Sequence, residues 1–205
     1  MIFYEELDFW QIPLTQLSNS KRSPFVFDRD WCAETLEIDK NGKGISKKNA
    51  QHGIVFCLPT MNLDNFYCEF KVTRTNVSKG KSHLFIGLVD KSKYKYENLL
   101  SKFWKDSPCS FYWDAWNTKL IQTDEYGIQG NTLSGYGCQC EDYETIFGIF
   151  YNEKLRTIEF YKNSVNIGVA FRNVPSNLTP SLDIWFESGK VEILDTSFPE
   201  EQIFF

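Results

Sequence analysis

The sequence predicts an all-β domain in which antiparallel strands form a sandwich or a barrel. Short runs of alternating apolar and polar residues recur along the 205 residues, and apolar residues almost nowhere recur at helical spacing. Turn signals such as Asn41-Gly42 and Ser188-Gly189 separate these runs. Because no helices are predicted that could cross between parallel strands, a parallel α/β fold is excluded. The length suits one all-β domain or two small domains.

The alternation is clearest in residues 66–72 and 165–171. Every second residue from Phe66 in the first run, and from Val165 in the second, is apolar, which predicts strands with one buried face. Residues 1–20 are predicted to be helical or irregular, and residues 91–109 form a long insert of the kind that is usually functional or disordered. The other strand-like runs are residues 84–89, 110–114, 146–151, 157–162, 178–186 and 190–194.

Charge and composition exclude several classes of partner. Lys and Arg number 22 and Asp and Glu number 27, so the net charge of −5 gives no general attraction to nucleic acid or to an acidic membrane. No apolar run approaches the ~20 residues of a membrane span, and the N-terminus lacks the basic-then-apolar plan of a signal peptide. We therefore expect a cytoplasmic protein that binds neither nucleic acid nor membranes.

No cofactor, metal site or catalytic site is predicted. Cys138 and Cys140 form the one close cysteine pair, but their spacing and the lack of a second pair do not suit zinc. His52 and His83 are the two histidines, and neither lies in a nucleophile motif. The acidic run at 141–144 precedes an apolar strand, where an acidic loop is the usual explanation. We expect a protein that is not an enzyme.

Residues 157–171 resemble the signature of the SPRY (B30.2-like) domain: a strand ending in Phe-Tyr-Lys-Asn, a tight turn, and a strand reading Gly-Val-Ala-Phe. The resemblance covers residues 25–195. It implies a bent antiparallel β-sandwich without catalytic residues, whose inter-strand loops bind other proteins. Residues 1–24 then form an N-terminal segment and linker, and residues 196–205 a C-terminal tail. Further pieces that resemble the family's strands, in its order, are residues 66–72, 85–88, 111–114, 146–149 and 178–182.

Within the family, the similarity is greatest to SPRY proteins that carry a SOCS box. Their peptide pocket uses a Tyr-x-x-Leu and a Trp after the Leu-x-Pro strand, which correspond here to Tyr96, Leu99 and Trp185. Residues 46–48 stand where that family has an Arg-x-Pro that contacts peptide. Trp104 on the long insert is a further candidate for a partner-binding aromatic residue. From the residues alone, Trp185 belongs either to a pocket or to the sandwich core.

Residues 4–12 resemble the closing segment of the potassium-channel tetramerisation type of BTB domain. This second resemblance implies a preceding BTB module that oligomerises and recruits a cullin ubiquitin ligase.

The leading hypothesis is therefore a non-catalytic module that binds a peptide or loop of a partner protein, as a substrate receptor. The alternative is a lectin-like sandwich that stacks a sugar on an exposed Trp. A hydrolase that uses the acidic run at 141–144 is the third hypothesis.

Overall fold

Antiparallel β-strands make up almost all of the described chain. The computed structural model describes residues 25–49, 51–58, 65–74, 83–95, 108–124, 129–137, 143–185 and 189–195. Within these ranges the helical structure is one short 3-10 turn, Lys91–Lys93. The strands are, in chain order, β1 (Val26–Cys32), β2 (Leu36–Ile38), β3 (Gly44–Lys47), β4 (Gly53–Leu58), β5 (Asn65–Arg74), β6 (His83–Val89), β7 (Ser110–Asp114), β8 (Lys119–Thr123), β9 (Gln129–Ser134), β10 (Glu144–Asn152), β11 (Thr157–Lys162), β12 (Val165–Arg172), β13 (Thr179–Trp185) and β14 (Gly189–Leu194).

The strands form two sheets of seven, which pack as a sandwich. The first sheet has the strand order β1-β4-β13-β6-β7-β8-β9, and the second has the order β12-β11-β10-β5-β14-β3-β2. Every pairing between neighbouring strands is antiparallel. The predicted all-β antiparallel sandwich is therefore confirmed.

The core lies between the inner faces of the two sheets. Alternate residues of β5, from Phe66 to Val72, are buried as the sequence pattern predicts. Trp113 of β7 is fully buried, and its ring centroid lies 5.4 Å from that of Phe147 and 5.6 Å from that of Phe160. Because such aromatic contacts add to the hydrophobic burial, Trp113 joins the first sheet firmly to β10 and β11 of the second.

The uniform alternation predicted for residues 165–171 is wrong. Val165 and Val169 are exposed, at 67% and 36%, whereas Phe171 is buried. The pairing of β12 with β11 shifts register twice, and Gly168, which lies between the two shifts, has a φ of 107°. A shift of one residue turns the following side chains to the opposite face. The bulged strand therefore presents apolar residues on both of its faces.

A two-residue turn joins β11 to β12. Lys162 pairs with Val165, and the turn residues Asn163 and Ser164 have φ values of 49° and 65°. Asn163 also holds β10: its Oδ1 accepts a hydrogen bond from Ile146 N at 2.9 Å, and its N donates to Ile146 O at 2.8 Å. Two consecutive positive φ values are those of a type I′ hairpin turn. The predicted tight turn is confirmed.

The edge strands of both sheets are poor templates for a further strand. β1, β9 and β12 pair with register shifts, and β2 is three residues long. At the β12 edge, Gly168 N donates to Asn166 Oδ1 at 2.6 Å, and Gly168 O accepts from Tyr136 Oη at 2.5 Å. Bulges, short strands and occupied backbone groups all discourage edge-to-edge pairing.

The first and last described strands meet at the turn between β2 and β3. Phe27 N donates to Gly42 O at 2.7 Å, and Ile193 N donates to Lys43 O, also at 2.7 Å. The Lys43 ammonium also pairs with Asp195 at 2.6 Å. The two ends of the described domain, at β1 and β14, are therefore neighbours.

Candidate functional site

The end of β13 lies at the opposite end of the sandwich from the start of β1. Val26 pairs with Leu58, the last residue of β4. Ile184, near the end of β13, pairs instead with Gly53, the first residue of β4. The loops around the end of β13 are thus remote from the two ends of the described domain.

Trp185 is the last residue of β13 and lies on the surface. Leu182 and Ile184 of β13 belong to the sandwich core, so the alternate residues Asp183 and Trp185 share the outer face of the first sheet. Trp185 is 38% exposed. Of the two interpretations that the sequence leaves open, the structure supports the surface position and not the core.

A buried contact between a histidine and a carboxylate lies beside Trp185. The Asp183 carboxylate is fully buried, and its Oδ1 contacts His52 Nε2. His52 directly precedes β4, and its carbonyl accepts a hydrogen bond from Thr35 Oγ1 at 2.8 Å. A buried carboxylate without a partner would cost several kcal/mol, so loss of the His52 contact would destabilise the folded domain. This contact ties the start of β4 to the end of β13.

Lys47, the last residue of β3 in the second sheet, reaches the same point. Its Nζ donates to Ile184 O at 3.4 Å. Burial lowers the pKa of Lys47 to about 8, and the nearby Asp183 carboxylate opposes that shift. At neutral pH the ammonium is therefore mostly charged and only partly hydrated. The structure thus brings residues 46–48, which replace the Arg-x-Pro of the SOCS-box proteins, to the end of β13.

We call this group the Trp185 corner and define it as Lys47, His52, Asp183 and Trp185. Its members come from the end of β3, the residue before β4 and the end of β13. The indole offers a large, stiff apolar surface, and the ammonium offers a charged hydrogen-bond donor. The buried contact between His52 and Asp183 holds the backbone between them. Such a set of groups can bind a ligand without covalent chemistry.

The insert approaches the same face of the first sheet. The ring of Tyr94 is buried, with its centroid 5.0 Å from that of Phe56. Phe56 pairs with Ser181, four residues before Trp185, which is about 13 Å along the strand. Tyr94 and Trp185 therefore lie on one sheet face. The predicted site residues on the insert lie outside the described residues: Tyr96, Leu99 and Trp104.

Sequence reasoning missed the buried pair as part of the site. Asp183 is a charged residue inside the strand-like run 178–186, and this is a usable signal for a buried and paired charge. No sequence signal marks His52 as its partner, because the pairing of β4 with β13 brings together residues that are far apart in the chain.

Three of the four cysteines in the described ranges have thiols of low reactivity. Burial raises the pKa of the Cys32 thiol to about 11, and it also raises the pKa of the Cys57 and Cys68 thiols. These thiols are therefore protonated and poor nucleophiles at neutral pH. Among the residues with described positions, no three His, Cys, Asp or Glu residues lie close enough to hold a metal ion. No helix in these ranges is long and apolar enough to span a membrane.

Comparison with known proteins agrees with this architecture. The family profile of the SPRY domain matches residues 65–194, more than half of the chain. No curated protein sequence matches it. The solved SPRY domain of human HERC1 has a TM-score of 0.63 at 16% identity and covers 83% of this chain and 98% of that chain.

Two further solved structures share the fold. The TRIM65 PSpry domain has a TM-score of 0.57 at 10% identity, covering 84% of this chain and 92% of that chain. The Drosophila melanogaster neuralized NHR1 domain has a TM-score of 0.54 at 12% identity, covering 85% and 99%. These identities are low, so the likeness concerns the fold alone.

The two antiparallel sheets place the chain in the class of β-sandwich domains. Within this class, the chain belongs to the SPRY domain family. The resemblance seen in residues 157–171 is confirmed. SPRY domains mediate protein–protein binding and are generally interaction modules and not enzymes.

Proposed function

We propose that the Trp185 corner binds a peptide or loop of a partner protein and that this non-catalytic contact is the function of the domain. The exposure of Trp185 carries the proposal. A Trp side chain that is accessible to solvent and held on a fixed backbone is the type of residue that dominates protein interfaces. Membership of the SPRY family supports a protein ligand.

The proposal includes the three insert residues predicted from the sequence. The position of Tyr94 on the same sheet face as Trp185 supports a shared surface. Aromatic residues in loops are frequent at interfaces. These insert residues are Tyr96, Leu99 and Trp104.

A displayed peptide library tests the proposal directly. The parent should enrich a motif, and Trp185→Ala should weaken binding of the enriched peptide roughly thirty-fold, the equivalent of about 2 kcal/mol for one hot spot. Leu155→Ala is the matched control, because Leu155 is 48% exposed in the turn between β10 and β11, at the other end of the sandwich. Fluorescence anisotropy measures both affinities, and thermal unfolding confirms that both variants fold.

Two results would contradict this proposal. A folded Trp185→Ala variant with the parent's affinity would place the site elsewhere. Binding of a glycan on an array, abolished by Trp185→Ala and without any peptide enrichment, would favour the lectin-like alternative.

We further propose that the domain selects substrates for a cullin ubiquitin ligase through a preceding BTB module in the cytoplasm. The resemblance of residues 4–12 to a BTB domain supports this role, although they lie outside the described residues. Purification of the intact protein from cells should recover a cullin by mass spectrometry, and imaging should show cytoplasmic protein. Recovery of partners without a cullin would contradict this role.

We assign the binding domain to residues 25–195, flanked by 1–24 and 196–205, and limited proteolysis should yield that fragment.

A further inference from the structure

Lys47 is a half-buried lysine whose ammonium has no carboxylate partner among the described residues. Among the described residues, no carboxylate oxygen lies within 4.0 Å of Lys47 Nζ, whose hydrogen bond goes to Ile184 O at 3.4 Å. This is a long contact for a charged donor. Four other lysines pair with carboxylates at 2.6–2.9 Å: Lys43 with Asp195, Lys71 with Glu144, Lys91 with Asp28 and Lys190 with Glu192.

The charge that compensates Lys47 is already engaged. Asp183 raises the pKa of Lys47, but its fully buried carboxylate contacts His52. The loss of hydration on burial outweighs that attraction, so the net pKa of Lys47 is about 8. The ammonium therefore keeps its capacity for an anion, close to the exposed Trp185.

A second lysine adjoins Lys47 in the chain. The adjacent Lys48 is exposed, and it adds a second positive charge on a chain whose net charge is −5. Complementary charge at an interface selects the partner and speeds its approach. The charged and titratable groups on the elements around Lys47 are Asp183 on β13, His52 before β4, Glu37 on β2, Lys190 and its partner Glu192 on β14, and the adjacent Lys48.

We infer that the Trp185 corner selects an acidic segment of its partner, with a carboxylate of that segment bound to Lys47 Nζ and a neighbouring apolar side chain packed on the Trp185 indole. The inference rests on the proposed function, to which it adds the chemistry of the partner and a pH dependence. A carboxylate at Nζ stabilises the charged form of the amine. Binding therefore takes up a proton wherever free Lys47 is partly neutral.

The size of this pH dependence follows from the pKa of about 8. Free Lys47 is roughly nine-tenths charged at pH 7 and roughly one-tenth charged at pH 9. Because the charged form binds the carboxylate, the affinity should be about tenfold weaker at pH 9 than at pH 7. Lys47→Arg keeps a cation at every pH in this range, so its binding should not change between the two values.

Two displayed libraries of random twelve-residue peptides, one with a fixed central Glu and one with a fixed central Gln, test the inference. At pH 7 the parent and Lys48→Met should recover at least tenfold more peptide from the Glu library. Lys47→Met should lose that preference. The best Glu peptide, made synthetically, is then titrated at pH 7 and pH 9 against the parent and Lys47→Arg, with thermal unfolding as the check on folding.

The outcomes separate this inference from the proposed function. A Glu preference that survives in folded Lys47→Met overturns the role of Lys47. Peptides that depend on Trp185 but show no Glu preference overturn the acidic partner and leave the proposed function standing. A folded parent that enriches neither library overturns both. An equal loss of affinity at pH 9 in the parent and Lys47→Arg overturns the proton uptake.

Discussion

Gly87 of β6 lies directly against the backbone of Phe111 and Tyr112 in the neighbouring strand β7. A Cβ placed on Gly87 would overlap the Phe111 carbonyl oxygen and lie 2.8 Å from Tyr112 Cα. Neither of these atoms belongs to a side chain that could rotate away. The centre of the first sheet is therefore closed to any side chain at this position.

Gly87→Ala should reduce the free energy of unfolding by about 3 kcal/mol or more, because the two strands must separate to admit the methyl group. Urea denaturation measures the loss. Gly135→Ala is the control: Gly135 has a φ of 85°, but its Cβ would meet nothing within 4 Å. That variant should lose only about 1 kcal/mol from backbone strain. Equal losses in the two variants would refute the close approach.

His52→Ala should destabilise the domain by about 3 kcal/mol, because it removes a buried partner of the Asp183 carboxylate. Lys43→Ala serves as the matched control. It breaks the ion pair with Asp195, whose side chain is 81% exposed, and should cost less than about 1 kcal/mol. Chemical denaturation of both variants makes the comparison. A cost for His52→Ala as small as that for Lys43→Ala would show that the buried pair contributes little.

Ser164→Gly should raise the free energy of unfolding by about 0.5 kcal/mol. Ser164 has a φ of 65°, which glycine adopts without strain, although glycine also gains entropy in the unfolded chain. Asn163→Gly should bring no such gain, because it also loses the hydrogen bond from Ile146 N to Asn163 Oδ1. Thermal and urea unfolding of both variants give the difference. A stabilised Asn163→Gly would mean that this side chain does not hold β10.

The domain should lose stability as the pH rises above about 9. Burial raises the folded-state pKa of Cys57 and Cys68 above the unfolded value of 9.0, so over this range the unfolded state binds fewer protons and is favoured. Each thiol should cost about 1.4 kcal/mol at pH 10 relative to pH 7. The pKa of Lys47 is lowered on folding, so between about pH 8 and the unfolded-state pKa of 10.5 this residue makes the domain more stable as the pH rises. The gain is smaller than the loss from the thiols because Lys47 is partly hydrated.

The double variant Cys57→Ala, Cys68→Ala isolates the contribution of the thiols. Its urea midpoint should fall less between pH 7 and pH 10 than that of the parent. Because only the change in stability between the two pH values is compared, the destabilisation caused by the cavity at each substituted site cancels. A parallel fall in both proteins would mean that other groups control the alkaline transition.

Sequence periodicity predicts the central strands well and the outer ones poorly. β5 is flanked by two strands, and the apolar alternation from Phe66 to Val72 marks its core face correctly, while Glu69 on the other face is buried as well. β9 reads Gln-Gly-Asn-Thr-Leu-Ser and lies at an edge, where burial places little demand on the residues. In β12 the register shifts around Gly168 break the alternation, and their positions depend on contacts with β11.

The candidate site is predictable only in part. An aromatic residue after the Leu-x-Pro strand identifies Trp185 from the sequence, but its exposure depends on which face of β13 turns outward. Lys47 and His52 join the site because β3 and β4 end and begin at the same place in the fold. No local sequence pattern encodes the proximity of Lys47 and His52 to β13, because that proximity depends on the order of the strands in the two sheets.

The adjacency of β1 and β14 at the turn between β2 and β3 determines how the domain is displayed. Chain that precedes Phe25 or follows Asp195 attaches on one side, and the Trp185 corner points away from that side. The domain is therefore attached at one end and presents the Trp185 corner at the other. Neighbouring copies on a multivalent scaffold could each present the corner outward, so that several weak contacts with one repetitive partner would add through avidity.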